Sequence, residues 1–396
     1  MKISGIICEY NPLHNGHIHH IEETRKNGAT HIVGVMSGNY VQRGDVAIIN
    51  KFDRAKLAVK SGVDLVVELP APYCLATAEK YAQGAIFLLK SLGVVSELSF
   101  GSECGDIEQL KKAAKVADKY SNSKEIIELL ESGMTYPAAM HELTKKNYGD
   151  EISSLFEGPN NELAIEYIRA INHFKAQIEP FTIVRRGNEH DAADSIVDGF
   201  ASASAIRKAI FEGRDFTDNA PEETCKVIFE SLKAGKLSRS ETIERMLLYK
   251  LRTMTVEEIA KLPDVAQGLE HRIFEARDSV NMAELLKRVK TKRYTMARIR
   301  RIFFNMLLDI TADDLKSYPP YGRILATNER GFEILSEAKG KAVIPFGTSL
   351  AKLSAIDKVS ERYAKIEAAS TDIYSLTSKK IQGAGLDYRT KVCIVD

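Results

Sequence analysis

Four histidines, His14, His17, His19 and His20, fall within seven residues, with Gly16 between the first two. They follow an apolar run, Ile3–Cys8, and a break at Asn11-Pro12. The pattern predicts a strand, a tight turn and a helix N-terminus. Such a turn suits a phosphate, because backbone N–H groups and the helix dipole favour negative charge and a glycine permits close approach. Imidazoles there can hydrogen-bond a phosphate oxygen, and their charge is expected to respond near neutral pH. The same histidines could form a metal cluster, since His17 and His20 stand one helical turn apart. No convergent Asp, Glu or Cys set lies near them and the glycine suits a phosphate better, so no metal site is expected. A purely structural turn is the remaining reading.

Two further stretches carry possible chemistry. Ser202 and Ser204 precede Arg207 in Phe200–Arg207, where serines can cap a helix; an ordinary N-cap is the plain alternative. Lys287, Arg288, Lys290, Lys292 and Arg293 crowd together before Tyr294, and Arg298, Arg300 and Arg301 follow with no acidic residue interrupting. Basic side chains with an interleaved tyrosine suit a nucleic-acid backbone and a stacked base; a solvated helix face is the competing reading.

Short runs rich in Val, Ile and Leu predict strands at Ile3–Cys8, His31–Met36, Asp64–Leu69, Glu97–Phe100 and Phe181–Val184. Helical patterns lie between them at Ile18–Lys26, Lys51–Ser61, Thr77–Leu92, Ile107–Tyr120 and Asn161–Phe174, with Gly28, Gly62 and Gly93 placed as C-caps. This alternation implies an α/β first domain, residues 1–200, with a doubly wound parallel sheet. Ligands in that architecture bind at the carboxyl ends of the strands, where the Asn11–His17 turn falls. Residues 201–317 predict a mainly helical domain, with helices at Ser204–Glu212, Glu222–Ala234, Ser238–Met254, Ala266–Ser279, Met282–Val289 and Met296–Ile310. Residues 318–396, with apolar runs at Gly322–Asn328, Lys341–Phe346 and Val392–Val395, predict a small mixed α/β segment or a return of the chain onto the first domain.

The 396 residues carry 55 Lys+Arg against 54 Asp+Glu, so a nucleic-acid role must rest on local charge segregation. Five scattered cysteines, without Cys-x-x-Cys spacing, exclude a disulfide framework and suit a reducing cytoplasm. The N-terminal apolar run reads as a core strand rather than a signal peptide, and no stretch reaches the ~20 apolar residues that span a bilayer. A cytoplasmic protein with no membrane partner is expected; the pattern sets no oligomeric state.

The strand followed by His14-Asn15-Gly16-His17 resembles the signature of the nucleotidyltransferase and class I aminoacyl-tRNA synthetase superfamily. Ser202, Ser204 and Arg207 are similar to the partner segment of its nucleotidyltransferases, with Ala203 replacing a middle serine. Ser37–Gly44, Val63–Pro70, Ser99–Glu103, Gly158–Asn161, Arg185-Arg186-Gly187 and His190-Asp191 extend the likeness along essentially the whole chain. Together these segments resemble the bacterial tRNA(Met) cytidine acetate ligase family. The resemblance implies a Rossmann-like, HIGH-type first domain that binds ATP as a co-substrate with Mg2+.

 Its implied ATP contacts run through Ile7, Cys8, Glu9, Tyr10, Asn11, Pro12, Leu13, His14, Asn15, Gly16, His17, Ile18, His19 and His20. Further contacts fall on Gly101, on Asn160 or Asn161, on Arg185 or Arg186, and on Ser202, Ser204 and Arg207. His14 and His17 are the implied catalytic pair, steadying phosphates while acetate attacks. The implied activity forms acetyl-adenylate from ATP and acetate, then passes the acetyl group to the exocyclic amine of the wobble cytidine of elongator tRNA(Met). The basic residues from Lys287 to Arg301 would then hold that tRNA. A small-molecule adenylyltransferase, or a non-catalytic RNA-binding protein on the same fold, is the alternative; the former is usually much shorter.

Overall fold

Alternate residues of the central strands point to opposite faces, and both faces are buried. On His31–Ser37, Val33 and Val35 join a core with the Ala78–Ser91, Ile107–Tyr120 and Pro159–His173 helices. Ile32 and Met36 join the opposite core, beneath the Asn15–Lys26 and Lys51–Lys60 helices. The computed structural model describes residues 1–185, 199–266 and 268–396.

Its strands are β1 (Ile3–Cys8), β2 (His31–Ser37), β3 (Tyr40–Val41), β4 (Asp45–Val46), β5 (Leu65–Leu69), β6 (Glu97–Ser102), β7 (Glu179–Val184), β8 (Gly322–Thr327), β9 (Phe346–Gly347) and β10 (Cys393–Ile394). The main sheet runs β10-β8-β5-β2-β1-β6-β7, with β9 beside β8; β3 and β4 form a separate hairpin. The strands from β5 to β7 in that order are mutually parallel, while β8 pairs antiparallel with β5. The chain winds from β1 outward through β2 to β5, then crosses back to place β6 on the other side of β1. The direction of winding therefore reverses between β1 and β6, which opens a crevice at the carboxyl ends of those two strands. Gly28, Gly62 and Gly93 take positive φ after their helices, as their C-cap positions require.

The region after Ala201 is helical, and its helices Glu244–Thr253, Leu269–Glu275, Met282–Val289 and Met296–Leu307 share a core of Leu247, Ile273, Leu285 and Phe303. Tyr40 of the hairpin and Tyr374 of the Lys358–Tyr374 helix enter the same core. The helix expected over Ser238–Met254 starts instead with a 3-10 turn at Ser240–Ile243. The strand expected at Lys341–Phe346 is reduced to β9, because residues 341–343 are exposed and bury no face.

Candidate active site

His14 is the N-cap of the Asn15–Lys26 helix. Its Nδ1 accepts from the Gly16 N–H at 3.1 Å, and the His17 Nδ1 accepts from the His14 N–H at 3.2 Å. A neutral imidazole that accepts at Nδ1 carries its proton at Nε2. Both rings therefore present an Nε2–H donor, and they stack with centroids 3.7 Å apart. Burial, then the charges of Arg185 and Arg207, pushes His14 down to about 3. Burial also holds His17 well below its ordinary value, with His14 and Arg185 adding to the effect. The expectation that these imidazoles change charge near neutral pH is thus corrected: they are neutral donors.

Tyr10, at φ 47, sets its ring edge-on to His17 at 4.9 Å. Glu9 lies just before it and accepts from the Gln42 N–H at 2.8 Å. Burial pushes the Glu9 carboxyl up, against the opposing pull of the Gln42 bond and of Arg207, Arg54 and Arg43.

Two more elements close on this turn. Ser202 caps the Ala203–Glu212 helix by accepting from the Ala205 N–H at 3.2 Å, and its hydroxyl lies 2.9 Å from that of Ser204. From the same helix Arg207 donates to the Asn11 carbonyl at 2.7 Å. On the other side, Gly101 of β6 lies against Arg185: a Cβ there would stand 3.0 Å from the Arg185 Cγ. The Asn161 side chain accepts from the Glu103 and Cys104 N–H groups at 3.0 and 3.2 Å. Glu103 in turn accepts from the Asn160 N–H and the Asn161 N–H. The β6 end and the Pro159–His173 helix are locked together by these bonds, beside an arginine that faces His14, His17 and His20.

The remaining residues of the turn divide by side. Cys8, Tyr10 and Leu13 are buried in the core below it, where burial pushes the Cys8 thiol up to about 12. Asn11 accepts from the Ile48 N–H at 2.8 Å, and Asn15 donates to the Gly199 and Asp218 carbonyls at 3.0 and 2.8 Å. Pro12 is buried and Ile7 packs against the main core, so these residues offer a ligand their backbone. His20 contacts the Ser99 hydroxyl at 3.0 Å, and Ser99 contacts Thr24 at 2.7 Å, which brings His20 into the helix–sheet interface. Ile18 and His19 lie on the outer helix face with Phe200, around a cavity of about 360 Å³. Arg186, Gly187, His190 and Asp191 lie outside the described residues.

The basic stretch is less free than its charge suggests. Arg288 pairs with Asp278, and Lys290 donates to the Thr291 and Tyr294 carbonyls at 2.7 and 2.6 Å. Arg293 donates to the Leu130 carbonyl at 3.1 Å, Arg298 to the Asp264 carbonyl at 2.7 Å, and buried Arg301 pairs with Asp264 at 3.2 Å. Lys287, Lys292 and Arg300 are exposed. Lys51 and Arg54, polar residues that open a helix, are fully buried braces. Arg54 donates to the carbonyls of Glu9, Ser37, Gly38 and Ile49. Lys51 pairs with Glu68 and with Asp387 at 2.9 Å, inside a buried cluster completed by Arg323 and Glu367.

Among the described residues, no group of three or more His, Cys, Asp or Glu could hold a metal ion. None of their helices is long and apolar enough to cross a membrane. Neutral donors at a helix N-terminus, arginines beside them and a sheet that reverses at that point suit a triphosphate, and they define the class as a nucleotidyltransferase. The HIGH Nucleotidyl Transferase family model matches residues 1–387. A tRNA(Met) cytidine acetate ligase of Acetivibrio thermocellus is 36% identical over 416 aligned residues, with 100% of both chains covered. Another, of a Thermoanaerobacter species, is 39% identical, covering 98% of each chain. The crystal structure of Thermotoga maritima TmcAL in its apo form I has a TM-score of 0.91 at 30% identity over 100% of both chains. The form bound with alpha-thio ATP has a TM-score of 0.89 at 29% identity, again over 100% of both chains. The chain belongs to the HIGH nucleotidyl transferases and, among them, to the tRNA(Met) cytidine acetate ligase family.

Proposed function

We propose that the chain activates acetate with ATP and transfers the acetyl group to the exocyclic amine of the wobble cytidine of elongator tRNA(Met), giving acetylcytidine. The observation that carries this reading is the pair of neutral imidazoles, His14 and His17, whose Nε2–H donors meet the charges of Arg185 and Arg207 at a helix N-terminus. An acetate oxygen attacks the α-phosphorus, a P–O bond to pyrophosphate breaks, and acetyl-adenylate forms. Negative charge grows on the departing pyrophosphate, so fixed donors and cations that need not reorganise lower the barrier. In the second step the cytidine amine attacks the acetyl carbonyl carbon. AMP leaves with the electrons of the C–O bond, and the amine proton passes to solvent.

Gly101 gives the adenine room beside the backbone, Arg185 and Arg207 hold phosphate, and Ser202 and Ser204 offer the N-terminus of a second helix. Magnesium would travel with the triphosphate, since ATP phosphates and water supply most of its ligands in such sites. Residues 1–200 would form the activating domain and 201–317 the tRNA-binding part, with the strands of 318–396 completing the sheet. The free cysteines suit the reducing cytoplasm, where this tRNA is found. The test is acetate-dependent exchange of labelled pyrophosphate into ATP. Exchange that needs acetate and no tRNA supports the adenylate step, and its absence contradicts it.

A further inference from the structure

The β3–β4 hairpin joins the phosphate turn to the basic helix. At its base Gln42 is held from two sides: its N–H donates to Glu9 at 2.8 Å, and its side-chain amide donates to the Ala76 carbonyl at 3.2 Å. At its tip Gly44 has φ +72 and lies directly on the Met296–Leu307 helix. A Cβ on Gly44 would stand 2.7 Å from the Arg301 nitrogen and 2.7 Å from the Arg300 Cβ. Behind the tip, Tyr40 packs edge-on against Phe304 at 5.6 Å and donates to the Ser370 carbonyl. The one residue between these anchors is Arg43.

Arg43 is exposed, in contrast with Arg54, whose guanidinium is used up on backbone carbonyls. Its charge bears on Glu9, Arg185 and Arg207 at the phosphate turn, and with Arg301 on Glu162 of the Pro159–His173 helix. The charges bearing most on His14 are instead those of Arg185 and Arg207. Arg43 thus lies between Gln42, which is tied to Glu9 at the phosphate turn, and Gly44, which sits on Arg300 of the basic helix. Exposed arginines on the hairpin and on the helix it touches suit bidentate contact with a phosphodiester.

We propose that Arg43, together with Arg300, grips the tRNA backbone phosphate beside the cytidine that is acetylated. The proposal rests on the ligase reading above. Arg43 is then a positioning residue for the second step, holding the anticodon strand where the amine meets acetyl-adenylate.

The experiment compares wild type, Arg43→Ala, Arg43→Lys and Arg300→Ala in two assays and one titration. Arg43→Ala should lower kcat/KM for tRNA acetylation roughly 10- to 100-fold, as expected for one charged contact. Pyrophosphate exchange without tRNA should change by less than about threefold. The slope of log Kd for tRNA against log salt should become shallower by about 0.7 to 0.9. Arg300→Ala should act in the same direction, and Arg43→Lys should recover the salt slope but not the full rate, since a lysine keeps the charge without the fork. An exchange rate that falls in parallel with transfer would place Arg43 on the triphosphate and overturn the proposal, as would an unchanged salt slope. If wild type acetylates no tRNA, the ligase reading fails, and the salt slope alone then decides whether Arg43 meets a phosphate.

Discussion

The His14 and His17 rings stack at 3.7 Å while each Nδ1 accepts a backbone N–H of the same turn. The helix start thereby selects the tautomer that carries the donor proton on Nε2 in both rings. The signature works through this geometry, because a histidine charged at neutral pH could not accept at Nδ1 and cap the helix.

His17→Ala removes one of those donors and should lower acetate-dependent pyrophosphate exchange about 100- to 1000-fold, the usual loss for a donor to developing negative charge. Binding of tRNA should stay within about threefold of wild type. His17→Asn, which keeps a donor and an acceptor, should recover part of the rate. Equal exchange in His17→Ala and wild type would remove His17 from the chemistry.

Neutral buried imidazoles also set the response to acid. His14 falls to about 3 and His20 to about 4, both through burial first and then Arg185. Their unfolded values lie near 6.5, so between there and these lowered values the unfolded chain binds the protons. Stability is full above about pH 6.5 and falls as pH drops, by about 1.4 kcal/mol per pH unit for each such histidine. Proton NMR of the free protein should show the His14 and His20 signals unmoved between about pH 5.5 and about pH 8. A midpoint near pH 6.5 for either would contradict the assignment.

Much of this was legible in the chain. β1 over Ile3–Cys8 and the helices Ile107–Tyr120 and Met282–Val289 match their expected bounds, because each combines an unbroken pattern with a clear start. Asp106 and Asn281, for instance, cap those two helices. The turn after β1 was legible for the same reason. Partners remote in sequence were not: Lys51 meets Asp387 and Asn39 meets Thr371, and no local pattern announces either contact. The β3–β4 hairpin was hidden because its strands hold two residues each and its tip is fixed by a helix far along the chain. Nor does charge density reveal that Arg298 and Arg301 are spent on Asp264.

The buried cluster of Lys51, Arg323, Glu68, Asp387 and Glu367 ties β8, the Lys358–Tyr374 helix and the Leu386–Arg389 helix to β5 and the Lys51–Lys60 helix. Burial, with Glu68 close by, pushes the Glu367 carboxyl well above its ordinary range, and a neutral Glu367 would leave two carboxylates against two cations in the cluster. Glu367 also accepts from the Ala71 N–H at 2.6 Å, a bond an amide oxygen can keep. Glu367→Gln should therefore shift unfolding free energy by less than ~1 kcal/mol, whereas Glu68→Gln, which strips a carboxylate from Lys51 and Arg323, should cost ~3–5 kcal/mol. Denaturant unfolding measures both, and equal losses would mean that Glu367 is ionised.

The central claim is that this fold makes acetylcytidine. Elongator tRNA(Met) incubated with the protein, ATP and isotope-labelled acetate, then digested and analysed by mass spectrometry, tests it most directly. The account predicts one labelled acetyl group on the wobble cytidine, dependent on ATP and lost in His17→Ala. Unmodified cytidine in the presence of all three substrates would contradict it.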